Sequence, residues 1–294
     1  MATAMPQIKE WYSIDGVEFA TPGYWISSID RGVAARKGSN VDTPSVHGAQ
    51  WREKRLSVRN ETWSIIVTDA DPVSGSVSTV EEQRRVQYNS NLDTVLRILN
   101  KLPQLLTVDY YMLSSSSPVT RTVRRGYVEI VSSFQISDHR EFGYSQFTVD
   151  AQFPDPRWYS TSTTTLTSTI SSGTSASVAC PQSSVGTAPI TYMTITFAST
   201  PGYSLVDPKL TNSTYTSSTS VIGYTGTISS GGSISIDTDA LTVEDGNGDN
   251  AVSGLYRYGA RQDWMELFPT TNTLTFSCAS GRGTVSIAYK RAYI

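Results

Sequence analysis

Apolar and polar residues alternate with a period of two through most of this chain, the pattern of strands with one buried face, and a helical period appears in one stretch only. The clearest alternation is Phe147, Val149, Ala151 and Phe153 against Thr148, Asp150 and Gln152. Pro154 and Pro156 then remove two backbone donors and push Phe153 and Asp155 away from helical angles, so a ladder must stop there. After Tyr159 the chain becomes a Ser/Thr tract, residues 160–177, with almost no bulky apolar side chains. Such a tract reads as a linker or as a loosely packed strand leading into the second half. The expected organisation is therefore a domain over residues 1–159, this tract, and a second domain over residues 178–294.

In the first half, Trp11-Tyr12-Ser13-Ile14, Asp15-Gly16 and Val17-Glu18-Phe19 spell a hairpin, because Asp-Gly supplies the positive φ angles of a type I′ turn. Thr21-Pro22-Gly23 predicts a second turn and Tyr24 to Ile29 a strand. Residues 31–50 hold glycines, a proline and basic residues but little apolar content, so they form a flexible loop or an arm that finds its partner on another surface. Leu56 with Val58, and Trp63 to Val67, predict two strands, the second more buried. Asp69-Ala70-Asp71-Pro72 and Gly75 break the chain. Then Val86, Leu92, Val95, Leu96, Leu99 and Leu102 trace one helical face, opened by Thr79 and Glu82 at capping-box spacing and ended by Pro103. Asn89-Ser90-Asn91 is the expected kink point. Strands are expected over residues 104–112, 120–131, 134–137 and 144–153, with a loop tip at 114–118 and a charged turn at 138–141.

The second half reads as strands throughout: residues 190–197, 221–224, 233–237, 241–243, 264–267, 273–278 and 285–289. Gly, Asn and Ser turns at this spacing argue for an antiparallel sandwich. The fold class is thus mainly β, an N-terminal β-sandwich-like domain with one α-helix followed by a second β-sandwich.

Composition sharpens the division. Residues 1–160 hold 17 of the 23 Lys and Arg and 18 of the 26 Asp and Glu, whereas residues 161–294 hold 47 Ser and Thr. The second half is a polar, weakly charged β protein. A net charge of −3 leaves no electrostatic footprint for duplex nucleic acid. Residues 1–6 lack the basic start and apolar core of a signal peptide, and no run of about 18 apolar residues exists to span a membrane. The expectation is a soluble protein made in a cytoplasm, with Cys180 and Cys278 as two buried thiols or, alternatively, one bridge within the second domain.

Candidate chemistry is sparse. His47 and His139 are the two histidines, too few for a triad or zinc site with the available cysteines. Asp245-Gly246-Asn247-Gly248-Asp249-Asn250 looks like the opening of a calcium loop, but its sixth residue is Asn250 and its twelfth Tyr256, so a hairpin tip is the plainer reading. Asp237 and Asp239 are read as turn-capping groups rather than a glycosidase pair. The clusters Arg52-Glu53-Lys54-Arg55, Arg84-Arg85 and Arg124-Arg125 read as solvated faces or subunit salt bridges. The expectation is no enzymatic activity, no cofactor and no metal.

At this level the chain resembles the distal tail proteins of long-tailed bacteriophages, in particular the minor tail proteins of phages infecting actinobacteria. The likeness rests on Pro22-Gly23-Tyr24-Trp25-Ile26, on Arg36-Lys37-Gly38-Ser39-Asn40 followed by Pro44 and His47-Gly48, on the single helix, and on the strand running into Asp155-Pro156 and aromatic residues. In the second half it rests on residues 234–238, on Trp264-Met265-Glu266-Leu267-Phe268-Pro269-Thr270-Thr271-Asn272-Thr273-Leu274, and on Val285-Ser286-Ile287-Ala288-Tyr289-Lys290-Arg291. The family usually has Pro-Gly before the position of Asn272, where this chain has Pro269-Thr270-Thr271.

The resemblance implies a galectin-like second domain and a homo-hexameric ring at the virion tail tip, assembled in the host cytoplasm. The ring would join the tail tube protein to the hub and its lysin-type protein, beside the tape measure protein and other minor tail proteins. It would contact no membrane and bind no specific nucleic acid, although the genome passes through the channel. The first domain would line that channel and form the ring, with Arg31, Arg36, Lys37, His47 and Trp51 of the arm as subunit-contact candidates. The alternative is a carbohydrate-binding module for host surface glycans, with Trp264, Tyr256 and Tyr258 as stacking surfaces.

Overall fold

The computed structural model describes residues 10–32, 36–37, 41–42, 49–50, 55–101, 105–113, 121–131, 136–139, 143–215, 219–259 and 264–294. The chain forms two compact units, Met1–Trp158 and Tyr159–Ile294.

The first unit opens with β1 (Glu10–Ile14) and β2 (Val17–Glu18), joined by Asp15 and Gly16 at φ 48° and 82°. This is the type I′ hairpin that Asp-Gly predicts. β3 (Tyr24–Arg31) is followed by the short strands β4 (Arg36–Lys37), β5 (Val41–Asp42), β6 (Ala49–Gln50) and β7 (Arg55–Leu56), then by β8 (Arg59–Thr68). Helix α1 (Glu81–Leu99) precedes β9 (Leu106–Leu113), β10 (Arg121–Ile130), β11 (Ser137–His139) and β12 (Tyr144–Phe153). β11 thus occupies part of the stretch expected as a charged turn.

One sheet runs β2-β1-β9-β10 and the other β11-β12-β8-β3, all antiparallel, and β10 passes from one to the other through its pairs Glu129↔Gln152 and Ile130↔Ala151. Their inner faces meet in an aromatic core, with Tyr12 5.5 Å from Trp63 and 5.4 Å from Tyr110 between ring centroids. Gly126 lets the corner close: a Cβ there would stand 3.1 Å from the Trp158 ring and 3.2 Å from Phe153.

The helix departs from its predicted face. Val86 is 65 % exposed, and the buried positions are Tyr88, Asn91, Val95, Ile98 and Leu99. Val80 caps it without a side-chain bond, so Thr79 and Glu82 form no capping box; Ser78 instead accepts from the Val80 N–H and donates to Gln83. Asn91, expected with Asn89 and Ser90 as a kink point, lies on the buried face of a helix assigned without interruption over Glu81–Leu99. Its buried amide donates to the carbonyls of Thr68 and Ala70, both at 2.8 Å, and Tyr88 bonds Ser145 on β12. Polar anchoring to the end of β8, rather than propensity, sets which face turns inward.

The second unit contains β13 (Trp158–Ile170), β14 (Ser175–Cys180), β15 (Met193–Ser199), β16 (Leu205–Val206), β17 (Lys209–Asn212) and β18 (Ser220–Tyr224). It continues with β19 (Thr227–Ile228), β20 (Ser233–Asp237), β21 (Thr242–Asp245), β22 (Leu255–Gly259), β23 (Asn272–Ser277), β24 (Ser280–Gly281) and β25 (Gly283–Tyr293). One sheet is ordered β13-β25-β15-β20-β21 and the other β14-β23-β17-β18-β22, while β19-β16-β24 form a small third sheet. Phe197 of β15 stacks on Phe276 of β23 at 5.9 Å, so the two large sheets face each other across one apolar core.

The Ser/Thr tract is therefore strand and not linker. β13 lies beside β25 and β14 beside β23, and Ile170 is buried in the core, so a unit beginning at residue 178 would lack β13 with Ile170 and the first half of β14. Two other expectations shift. Residues 264–267 contribute only an isolated bridge, Leu267 to Ile190, and Leu241 sits in a turn at φ 57° before β21. Among the described residues no helix is long and apolar enough to cross a membrane.

Candidate assembly surface

The described segments of the arm pair antiparallel with each other, in sequence continuation of the β3–β8 pair. The ladder runs from Arg31↔Glu61 through the Gly32 N–H bond to the Asn60 carbonyl at 2.9 Å, then Arg36↔Leu56 and Lys37↔Arg55. It continues with Val41↔Gln50 and Asp42↔Ala49, the register having slipped by one residue. β12 makes its last pair with this ribbon at Phe153↔Arg59, and β4–β7 and β5–β6 are two-stranded, so no third strand supports the arm among the described residues. An isolated two-stranded ribbon is at best marginally stable in water, and its open edges offer unpaired backbone groups.

Its root is held by charge. β8 turns Arg59, Glu61, Trp63, Ile65 and Val67 inward, which buries Arg59 to 5 % and Glu61 to 2 % exposure. Arg59 Nε lies 3.2 Å from Glu61 Oε1, and its Nη1 donates to the Pro156 carbonyl at 2.6 Å. The guanidinium is sandwiched near Phe153 at 4.1 Å and Trp158 at 4.6 Å. Glu61 Oε2 accepts from the Tyr12 hydroxyl at 3.0 Å and from Trp63 Nε1 at 2.9 Å. Burial first, and then the Glu61 charge, push the Tyr12 hydroxyl far above the ordinary tyrosine range, so it stays protonated and donates. Burial pulls the Arg59 pKa down while Glu61 opposes it. One cluster thus joins the arm's root to β1 and to the corner where the chain leaves β12.

Of the predicted contact residues, Arg31 is at that root. Its side chain pairs with Glu10 at 3.2 Å and covers the Tyr110 ring at 4.6 Å, while its backbone pairs with Glu61. Arg36 and Lys37 are placed on β4 by their backbone. His47 and Trp51 lie outside the described residues. Sequence reasoning missed Arg59 and Glu61. The signal was their parity: they share the odd positions of β8 with Trp63, Ile65 and Val67.

The remaining candidates have structural work. Cys180 and Cys278 are free and buried, and the register places Cys180 opposite Asn272 while Cys278 lies past the other end of that ladder, beyond the Ser175↔Ser277 pair. Their Cα atoms stand well outside the roughly 7 Å that a bridge requires, which removes the disulfide alternative. Asp245 Oδ1 accepts the N–H groups of Asn247 and Asp249 at 2.8 and 3.0 Å, and these bonds hold its carboxyl below the usual range: a hairpin tip. Asp237 accepts from the Asp239 and Ala240 N–H groups, a turn cap.

Arg84 pairs with Asp69, Arg85 with Glu81, and Arg125 with Asp109, all within the chain. Trp264 is half-buried with Arg257 over its ring at 4.7 Å, and Tyr256 carries Lys209 at 4.2 Å, whereas Tyr258 is 69 % exposed on the edge strand β22.

Neither a family model nor a curated protein matches this chain. A solved structure does. The crystal structure of the SPP1 Dit protein, described as a paradigm of the hub adsorption apparatus in phages infecting Gram-positive hosts, superposes with a TM-score of 0.60 at 15 % identity, covering 97 % of this chain and 99 % of that one. The two proteins share a fold. A chain of the phage p2 baseplate, in its activated conformation with Sr, also matches over 94 % of this chain and 97 % of its own, at 6 % identity and a TM-score of 0.39.

Proposed function

We propose that this chain is a structural component of a bacteriophage tail tip, a distal tail protein that forms a homo-hexameric ring between the tail tube and the hub. The observation that carries the reading is the shared fold with SPP1 Dit over nearly the full length of both chains. The arm segments, which pair only with each other among the described residues, add a physical reason for a ring: an element of one copy that seats on the next makes a head-to-tail contact, and such contacts close when the rotation divides a circle. The first unit, which owns the arm, is the ring-forming one. On this proposal its partners are the tube protein, the hub with its lysin-type protein, the tape measure protein and other minor tail proteins, in the virion of an actinobacterial siphovirus. The second unit is the galectin-like domain, and the protein's role is assembly rather than catalysis.

Native mass spectrometry of the full chain, with electron microscopy of tails, tests this directly. Six copies in a closed ring are expected. A monomer at every concentration, together with a copy number other than six in tails, overturns it. Glycan attachment has narrower support, because of the three aromatic candidates only Tyr258 offers a largely open ring.

A further inference from the structure

Asparagine is a labile side chain, because the backbone nitrogen of the next residue can attack its carboxamide carbon, and a following glycine hinders that approach least. Asn247 is the one asparagine of this chain that precedes a glycine. It sits at the hairpin tip after β21, where residues 246–250 are all exposed. A Cβ at Gly248 would meet nothing within 4 Å, and φ there is 86°, so no side chain crowds its nitrogen. β21 is the edge strand of its sheet and pairs with β20, which lets the tip open without disturbing the core.

Three other asparagines are buried and have their carboxamides held. Asn91 Nδ2 donates to the carbonyls of Thr68 and Ala70, Asn212 Nδ2 to that of Glu266 at 2.7 Å, and Asn272 Nδ2 to those of Phe268 and Thr270. Asn247 Nδ2 reaches Asp245 Oδ2 at 3.5 Å, a long contact at an exposed site. What restrains this tip is its backbone. Asp245 Oδ1 accepts the N–H groups of Asn247 and Asp249 at 2.8 and 3.0 Å, and the Asp245 carbonyl accepts the Gly248 N–H at 3.0 Å. The attacking nitrogen is therefore occupied while the turn is closed, and one residue closes it.

We propose that Asn247 is a site of spontaneous deamidation and that Asp245 is the latch that sets its rate. When the tip opens, the Gly248 nitrogen gives its proton to hydroxide and bonds to Asn247 Cγ. The Cγ–Nδ2 bond breaks, and Nδ2 leaves as ammonia after taking a proton from water. Water then opens the cyclic imide at either carbonyl and yields an aspartyl or an iso-aspartyl linkage. The sum is carboxamide plus water giving carboxylate plus ammonium, with no change of oxidation state. The product sets a third carboxylate beside Asp245 and Asp249. Its iso-aspartyl form also lengthens the backbone by one carbon, so the Gly248 and Asp249 N–H groups no longer reach Asp245 together. The Glu244–Asn250 bridge is then lost and β21 loosens from β20. This inference concerns the second unit alone and does not depend on the ring reading.

Incubation of the full chain in mildly alkaline buffer, followed by peptide mapping that separates aspartyl from iso-aspartyl products, tests it. Asn247 should convert at least about tenfold faster than Asn91, Asn212 or Asn272, whose amides are buried and bonded. Asp245→Ala removes two charge-assisted bonds and should speed the conversion about tenfold, while Asn247→Gln should abolish it. Because the tip is exposed, circular dichroism and thermal unfolding of both variants should match the parent. Hydrogen exchange of the unmodified parent supplies a measurement free of substitutions: the amides of residues 247–249 should exchange faster than those of β20. Conversion at Asn247 no faster than at the buried asparagines overturns the site. A rate unmoved in a folded Asp245→Ala variant, or tip amides protected as well as those of β20, overturns the latch.

Discussion

Two central strands of this molecule occupy equivalent places and solve the inner-face problem differently. β8 lies between β12 and β3 and turns Arg59 and Glu61 inward beside Trp63, Ile65 and Val67, whereas β15 lies between β25 and β20 and turns in Met193, Ile195, Phe197 and Ser199. The buried polar residues of the second unit are neutral: Ser160, Ser199, Asn212, Thr238 and Asn272. Asn272, for example, accepts from the Phe268 N–H and donates to the carbonyls of Phe268 and Thr270, so it closes a turn without introducing charge. In the first unit the buried ion pair instead connects three segments far apart in sequence. Apolar cores lose stability in proportion to the volume removed. A buried ion pair, when one partner is deleted, leaves the other uncompensated, so its loss exceeds its contribution.

That contrast can be broken most severely at its charged end. Arg59→Ala or Glu61→Ala should destabilise the first unit by about 3–5 kcal/mol, whereas the paired change Arg59→Met with Glu61→Leu should recover most of that loss. Chemical denaturation followed by tryptophan fluorescence checks this, since Trp63 and Trp158 adjoin the cluster. A single and a paired variant of equal stability would remove the distinction between the two cores.

At the apolar end, Ile195→Ala should cost the second unit about 2–5 kcal/mol through cavity formation, with no effect on the transition of the first. The polar anchor of α1 is a milder case. Asn91→Ala leaves two carbonyls unsatisfied and should cost about 1–3 kcal/mol, seen as faster hydrogen exchange across residues 81–99 while the β8 amides keep their protection.

The smallest effect is on pH dependence. Burial raises the Tyr289 hydroxyl to about 12 in the folded second unit, against the ordinary value of 10. A raised folded-state pKa means that the native form binds more protons above pH 10, so stability falls from there as pH rises toward 12. Tyr289→Phe should flatten that part of the alkaline unfolding profile. A slope unchanged by the substitution would assign the alkaline sensitivity to the first unit, where Tyr12 is raised further still.

Much of the fold was legible because it depends on local rules. The Asp15-Gly16 turn, the stop at Pro154, and the inward set of β12 follow from φ preferences, missing donors and period-two alternation. The helix was legible in extent but not in orientation, because Val86 and Tyr88 are both plausible apolar contacts and only the amide of Asn91 against β8 decides between them. The Ser/Thr tract was readable only as a linker or an entry strand for a related reason: β13 pairs with strands distant in sequence and shows few bulky side chains of its own, so only the tertiary pairing chose the strand. For the candidate site, the arm's exposed composition was readable while its hairpin register was not, since pairing between residues 31 and 61 is a long-range event.

What the sequence determined by itself is a β-rich chain with one helix, a polar segment over residues 31–50 that is either loop or arm, and halves of different polarity, all consequences of residue spacing and composition. The tertiary structure alone decided that Arg59 and Glu61 are buried together and that Cys180 and Cys278 stand at opposite ends of one ladder. Each of these depends on which strands become neighbours. That choice is made by the summed burial of whole faces, which no local window of residues contains.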